Sequence, residues 1–208
     1  ARKIVGADIS GVVESAGKDV KLFRPGDEVV GDLSGCGFGG FADFALATEK
    51  ALVHKPAGLS FEMAAALPMA SMTALQALRN KGQIQKGQEV CILGSSGGVG
   101  TIAIQLARHF GAVITAVCST QNVEQSQLLG ADRVIDYSKE DFAVGNRKYD
   151  LIIAVNGNYS LLKCRKALKA DGRYVLVGGA LSQIFKAIVI GKPLSLGRKK
   201  MLFLAAKT

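Results

Sequence analysis

Glu89-Val90-Cys91-Ile92-Leu93-Gly94-Ser95-Ser96-Gly97-Gly98-Val99-Gly100 decides how the chain is read. Its first five residues form a nearly continuous apolar run, the composition of a parallel strand buried on both faces. A glycine-rich turn follows. From Val99 to Phe110 apolar residues recur at helical spacing and stop at Gly111, a residue suited to the left-handed position just past a helix. Strand, glycine turn and helix in that order match the dinucleotide fingerprint GxGxxG. Its glycines permit a tight turn, let backbone approach a pyrophosphate, and bring helix close to strand. Ser95, Gly97 and Gly100 take the three spacings, with serine standing for the first glycine, and Ser95 is expected among the cofactor-binding residues. A second register, Gly98, Gly100 and Ala103, begins too far beyond the strand end at Leu93. No Gly-Lys-Ser or Gly-Lys-Thr follows, which removes a Walker A loop and its phosphoryl transfer. The helix start offers N–H groups and a positive dipole end to a pyrophosphate.

Downstream the pattern repeats. Strands are expected over residues 112–118, 133–136, 149–155, 173–177 and 201–205, with helices over 122–129 and 160–170. Such alternation implies right-handed crossovers and an α/β fold with an open, doubly wound parallel sheet. Upstream, residues 9–13, 28–31, 41–47 and 51–54 read as short strands between glycine-rich turns, the clearest being Pro25-Gly26-Asp27. Two helices connect these halves, one over 60–67 with Ser60 as N-cap and Glu62 in its first turn, one over 69–80 after Pro68. The expected domains are a β domain over 1–56, bridging helices over 57–88 and a dinucleotide-binding domain over 89–208.

Composition narrows the partners. Of 208 residues, 49% are hydrophobic and 21% charged, which fits a folded core and disfavours disorder. No apolar run approaches the roughly 18 residues of a membrane span. The net charge of +9 looks like a nucleic-acid or acidic-lipid signal. However, residues 1–150 carry 15 basic against 16 acidic side chains, and residues 151–208 carry 11 against 1. The excess thus lies downstream of the glycine turn and says little about a dinucleotide; nucleic acid and membrane are not the expected partners. The segment 184–207, with Lys186, Lys192, Arg198, Lys199, Lys200 and Lys207 among apolar residues, is broken by Gly191, Pro193 and Gly197 and reads as loop plus strand.

Cys36, Cys91, Cys118 and Cys164 are dispersed, with no CxxC pair and no histidine at zinc-finger spacing, so neither a disulfide framework nor zinc is expected. His54 and His109 do not read as catalytic. Asn158-Tyr159-Ser160 fits the glycosylation sequon by chance in a chain without a signal peptide. The expected location is cytoplasmic, with an organelle as the other option. The chain lacks a starting Met, which suggests a part of a longer protein.

An NAD enzyme places Asp or Glu about 20 residues beyond the glycine turn to accept from the ribose 2′-hydroxyl. Here that loop reads Cys118-Ser119-Thr120-Gln121-Asn122, without an acid, which favours NADPH over NADH. The same loop has no Arg or Lys for a 2′-phosphate and offers neutral donors. Tyr137, just after the third strand of this half, either closes over the adenosine or is a sheet-edge aromatic.

Pro25-Gly26-Asp27-Glu28-Val29, Gly39-Gly40-Phe41-Ala42-Asp43, Ala64-Ala65-Ala66-Leu67-Pro68, Thr73-Ala74, the Gly94 to Gly100 turn, Leu129-Gly130-Ala131-Asp132 and Asp171-Gly172-Arg173-Tyr174 together resemble the quinone oxidoreductase, or zeta-crystallin-like, branch of the medium-chain dehydrogenase/reductases. The resemblance implies a partial GroES-like catalytic domain over 1–56 and an incomplete Rossmann domain over 89–208, with the active site in a cleft between them. It implies NADPH as cofactor and no zinc. It assigns Ser96, Gly97, Gly98 and Val99 to the pyrophosphate, Ser119, Thr120 and Tyr137 to the adenosine 2′-phosphate end, and Gly178 and Gly179 to the nicotinamide side. Thr73 and Asn158 become further cofactor contacts. Where the family often has a basic residue, this chain has Gln121 or Asn122. The implied reaction is direct hydride transfer to a quinone or enone, in a homodimer, with no catalytic side chain singled out. Phe41 and Asp43 would face the cleft. The competing expectation is a non-catalytic module that binds a nucleotide, RNA or membrane through the Rossmann domain and the basic C-terminal segment.

Overall fold

The structure, a computed structural model, describes residues 4–144, 146–155, 159–179, 194, 195 and 197–206. The chain divides into two compact units that meet in sequence between Met72 and Thr73.

In the first unit, β1 (Asp8–Val12), β2 (Glu28–Asp32) and β3 (Leu52–His54) form an antiparallel sheet in that order. Pro25-Gly26-Asp27 turns the chain as its composition requires. Gly26 takes φ +94, and paired backbone bonds join Val13 to Gly26 and Asp27 at 2.9 Å. The strand expected over 41–47 is not formed. Gly40 and Phe41 donate to Gly6 and Val5, and beyond them that stretch has no strand partner among the described residues. Phe41, Phe44 and Leu46 are exposed, and Gly37 and Gly39 take left-handed φ. Helix α1 (Phe61–Ala65) starts at Ser60, whose Oγ accepts from the Met63 N–H. Helix α2 (Pro68–Leu75) follows, its Met69 N–H donating to Asp8 Oδ1 at 2.9 Å. It continues as a π-helix over Gln76–Lys81.

The second unit holds the parallel sheet that alternation of strand and helix demands. Its strands are β4 (Glu89–Leu93), β5 (Val113–Cys118), β6 (Arg133–Asp136), β7 (Tyr149–Val155), β8 (Leu168–Val177) and β9 (Lys200–Leu204), in the order β6-β5-β4-β7-β8-β9. Alternate residues fill two cores. One, with Val90, Ile92, Ile114 and Ile153, packs Ala103, Ile104 and Ala107 of α3 (Gly98–His109). The other, with Cys91, Leu93, Val117 and Ile152, packs Cys164 and Ala167 of α5 (Leu161–Ala167). Helix α4 (Val123–Leu128) links β5 to β6.

Helix α5 is shorter than the expected 160–170. Leu168 leaves helical geometry at ψ 144 and is 1% exposed, paired opposite Tyr149. Burial of Leu168 against β7 therefore makes residues 168–172 the start of β8 rather than a last helical turn.

Candidate functional site

The turn after β4 lies at the C-terminal edge of the six-stranded sheet, where strand order reverses between β4 and β7. Open α/β sheets form their ligand crevice at such a switch point. Three glycines of this turn have different physical reasons. Gly94 takes φ +79, and a Cβ on it would lie 2.4 Å from the Val155 carbonyl oxygen at the end of β7. A Cβ on Gly100 would lie 2.3 Å from the Gly94 carbonyl oxygen, so α3 crosses the turn this closely only without a side chain there. Gly97 has φ −78 and ψ 169, backbone that any residue adopts, and a Cβ on it would come no closer than 4.0 Å to Gly94 O. The packing of the described residues does not ask for glycine at 97. A bare backbone there fits the close approach of a pyrophosphate.

Helix α3 starts without a side-chain cap, as does α4, whereas Ser60 and Ser160 accept from Met63 and Lys163 N–H groups at the starts of α1 and α5. First-turn N–H groups without such a partner, at the positive end of the helix dipole, suit an anionic ligand. Ser96 and Gly98 border this opening, and Val99 packs partly into the α3-side core. Ser95 is fully buried instead. Its N–H donates to Val117 O at 3.1 Å, and its Oγ contacts Val117 O and Ser126 Oγ at 3.2 Å each, so Ser95 fastens the turn to β5 and α4.

Parallel pairing of Cys118 with Asp136 brings Ser119 and Thr120 beside Tyr137, whose N–H donates to Cys118 O at 3.0 Å. Tyr137 is 58% exposed. Ser119 Oγ accepts from Asn122 Nδ2 at 2.9 Å. Sequence reasoning missed what joins these two loops. Asp136 Oδ2 accepts from Thr120 Oγ1 at 2.6 Å, and Oδ1 accepts from Ser138 Oγ at 2.6 Å and Ser138 N–H at 3.0 Å. Those bonds, Ser138's first, hold the Asp136 carboxyl down at about 2, so it is ionised at neutral pH. The available signal was an Asp-x-Ser turn directly after a strand.

Gly178 and Gly179 end β8 with φ +66 and +122, next to the end of β7 through the Val155–Val177 pair. Thr73 is 7% exposed within α2. Asn158 lies outside the described residues, as do Lys186, Lys192 and Lys207. The structure thus gathers Ser96 to Val99, Ser119, Thr120, Tyr137, Gly178 and Gly179 at the C-terminal ends of β4, β5, β6 and β8, within a row of five adjacent strands. At the usual strand spacing this row is about 19 Å long.

No group of three or more His, Cys, Asp or Glu that could hold a metal occurs among the described residues. Cys91, Cys118 and Cys164 are buried; burial pushes the Cys91 thiol far up and that of Cys164 to about 12. Cys36 is half-buried, His54 packs on Phe23 and His109 on Phe110. A cavity of about 460 Å³ lies at the other end of the strands, beside Gln83, Gln88, Asp150, Lys169 and Arg173. The strand-end edge that carries the glycine turn is the better candidate, because the strand order reverses there. Of the basic C-terminal side chains, Arg198 pairs with Asp171 and Lys199 donates to Arg165 O. None of the helices described is long and apolar enough to cross a membrane.

Residues 98–202 match the family described as zinc-binding dehydrogenase, and residues 2–57 match the alcohol dehydrogenase GroES-like domain. A chloroplast envelope quinone oxidoreductase homolog of Arabidopsis thaliana is 42% identical over 159 residues, covering 72% of this chain and 48% of the relative. An NADPH-dependent alkenal/one oxidoreductase of the same plant, chloroplastic, is 36% identical over 187 residues, covering 86% and 48%. The solved structure of the quinone oxidoreductase from Coxiella burnetii superposes with a TM-score of 0.80 at 31% identity, covering 98% of this chain and 63% of that one. The chain spans about half the length of the curated relatives it matches.

Proposed function

Since the chain belongs to the medium-chain dehydrogenase/reductase superfamily, we propose that it is an oxidoreductase that uses NADPH, in preference to NADH, to reduce a quinone or an α,β-unsaturated carbonyl. The observation that carries this reading is Gly97, a glycine the described packing does not require, at the uncapped start of a twelve-residue helix. When bound, the cofactor supplies the hydride. The chain's own residues bind and orient it. Ser96, Gly97, Gly98 and Val99 would hold the pyrophosphate through backbone N–H groups, with Ser95 fixing the turn beneath them. Ser119, Thr120 and Tyr137 would hold the adenosine end, and Gly178, Gly179, Thr73 and Asn158 the remainder. Such positioning, with water excluded, is the protein's main contribution to a hydride transfer.

NADPH is supported by a relative whose name states that cofactor and by a 118–122 loop with no carboxylate of its own, the adjoining Asp136 being paired with Lys139. Quinones and enones are supported by the names of the relatives. The metal-free reading is supported by the burial of three of the four thiols and by the ring contacts of both histidines. A homodimer through the last strands is supported by the place of β9 at the sheet edge among the described residues. The location is proposed as cytoplasmic, with an organelle as the option that the relatives' names favour. A non-catalytic module is the weaker reading, because the relatives are oxidoreductases.

The test follows NADPH and NADH absorbance against a panel of quinones and enones, with and without EDTA. The expected result is NADPH oxidation, unchanged by the chelator. Tight dinucleotide binding with no oxidation in the longest native form of the protein would overturn the enzymatic reading.

A further inference from the structure

Resting on the dinucleotide reading, we infer that Lys139 is the cation that recognises the adenosine 2′-phosphate, standing in for the basic residue absent from the 118–122 loop. A 2′-phosphate dianion accepts hydrogen bonds and needs donors. Thr120 cannot supply one while it stays in place, because its hydroxyl proton goes to Asp136 Oδ2 at 2.6 Å. Ser138 is in the same position, its hydroxyl proton going to Oδ1 at 2.6 Å. Thr120 Oγ1 and Ser138 Oγ also lie within hydrogen-bond distance of each other at 3.2 Å, so both hydroxyls are engaged inside this cluster. The ionised Asp136 beneath adds a negative charge.

Lys139 reverses this balance. Its Nζ lies 3.6 Å from Asp136 Oδ2, the oxygen that also accepts from Thr120, so the ammonium stands at the junction of the two loops. The side chain is 69% exposed, and an ammonium has three donors, so contact with Asp136 leaves protons for a ligand. Ser119 keeps its own hydroxyl proton while accepting from Asn122, and Tyr137 contributes its phenol. One cation and two neutral donors then face the phosphate across the ends of β5 and β6. Lys139 lies 17 residues or more beyond the 118–122 loop in sequence and reaches it only because β5 and β6 pair.

Dissociation constants for NADPH and NADH are compared in the wild type, Lys139→Gln and Lys139→Arg. The ratio of NADPH to NADH affinity is expected to fall about tenfold in Lys139→Gln, the scale of one charge-assisted contact. In Lys139→Arg it is restored to within about twofold, since the charge is kept. Raising ionic strength lowers the wild-type ratio toward that of Lys139→Gln. Taking a ratio cancels any general loss of folding. A wild type that binds both cofactors, with the ratio unmoved by Lys139→Gln, overturns this inference alone. A wild type that binds neither overturns the dinucleotide reading and this inference with it.

Discussion

A Cβ on Gly100 would stand 2.3 Å from the Gly94 carbonyl and 2.7 Å from the Ser95 carbonyl carbon, both backbone atoms that cannot swing aside. Gly100→Ala is therefore expected to force α3 off the turn, destabilise the protein by about 1–3 kcal/mol and weaken dinucleotide binding; thermal melts and titration check it. The fingerprint made Gly97 and Gly100 legible in sequence, although it does not tell one glycine's reason from another's. Ser95 shows the same limit. Its spacing marks it as part of the motif, yet its hydroxyl faces inward to Val117 and Ser126. Asp136 and Lys139 were missed because they act across a strand pair, and no local pattern ties them to Thr120.

Among elements, those whose signal is local were the legible ones. Strands β4, β6 and β7 fall where their apolar runs place them, and Gly111 takes the left-handed φ expected after α3. Elements decided by distant partners were not. Residues 41–47 have the composition of a strand but no strand partner among the described residues, and residues 168–170 have helical composition but Leu168 pairs with Tyr149 of β7. The central strand carries the largest packing consequence. Ile92 is fully buried in β4 between β5 and β7 and belongs to the α3-side core. Ile92→Ala is expected to cost about 2–5 kcal/mol in denaturant unfolding, through lost burial and the cavity left behind.

At the scale of the whole molecule, the strand order β6-β5-β4-β7-β8-β9 aligns the glycine turn, the Asp136 cluster and Gly178-Gly179 on one edge of one sheet. Alternation in the sequence implied that sheet, while the row of site residues depends on an order that the sequence does not print. The net charge of +9 has its source in residues 151–208, and there Arg198 and Lys199 are engaged with Asp171 and Arg165. The central claim is that the crevice at the glycine turn is built for a dinucleotide, and Gly97→Ala tests it most directly. At φ −78, alanine fits the backbone and meets nothing closer than 4.0 Å, so the melting temperature should hold or rise slightly. The account predicts that NADPH affinity falls at least about tenfold, as a methyl group blocks the backbone from the pyrophosphate. An unchanged affinity in a protein that melts as the wild type does would contradict it.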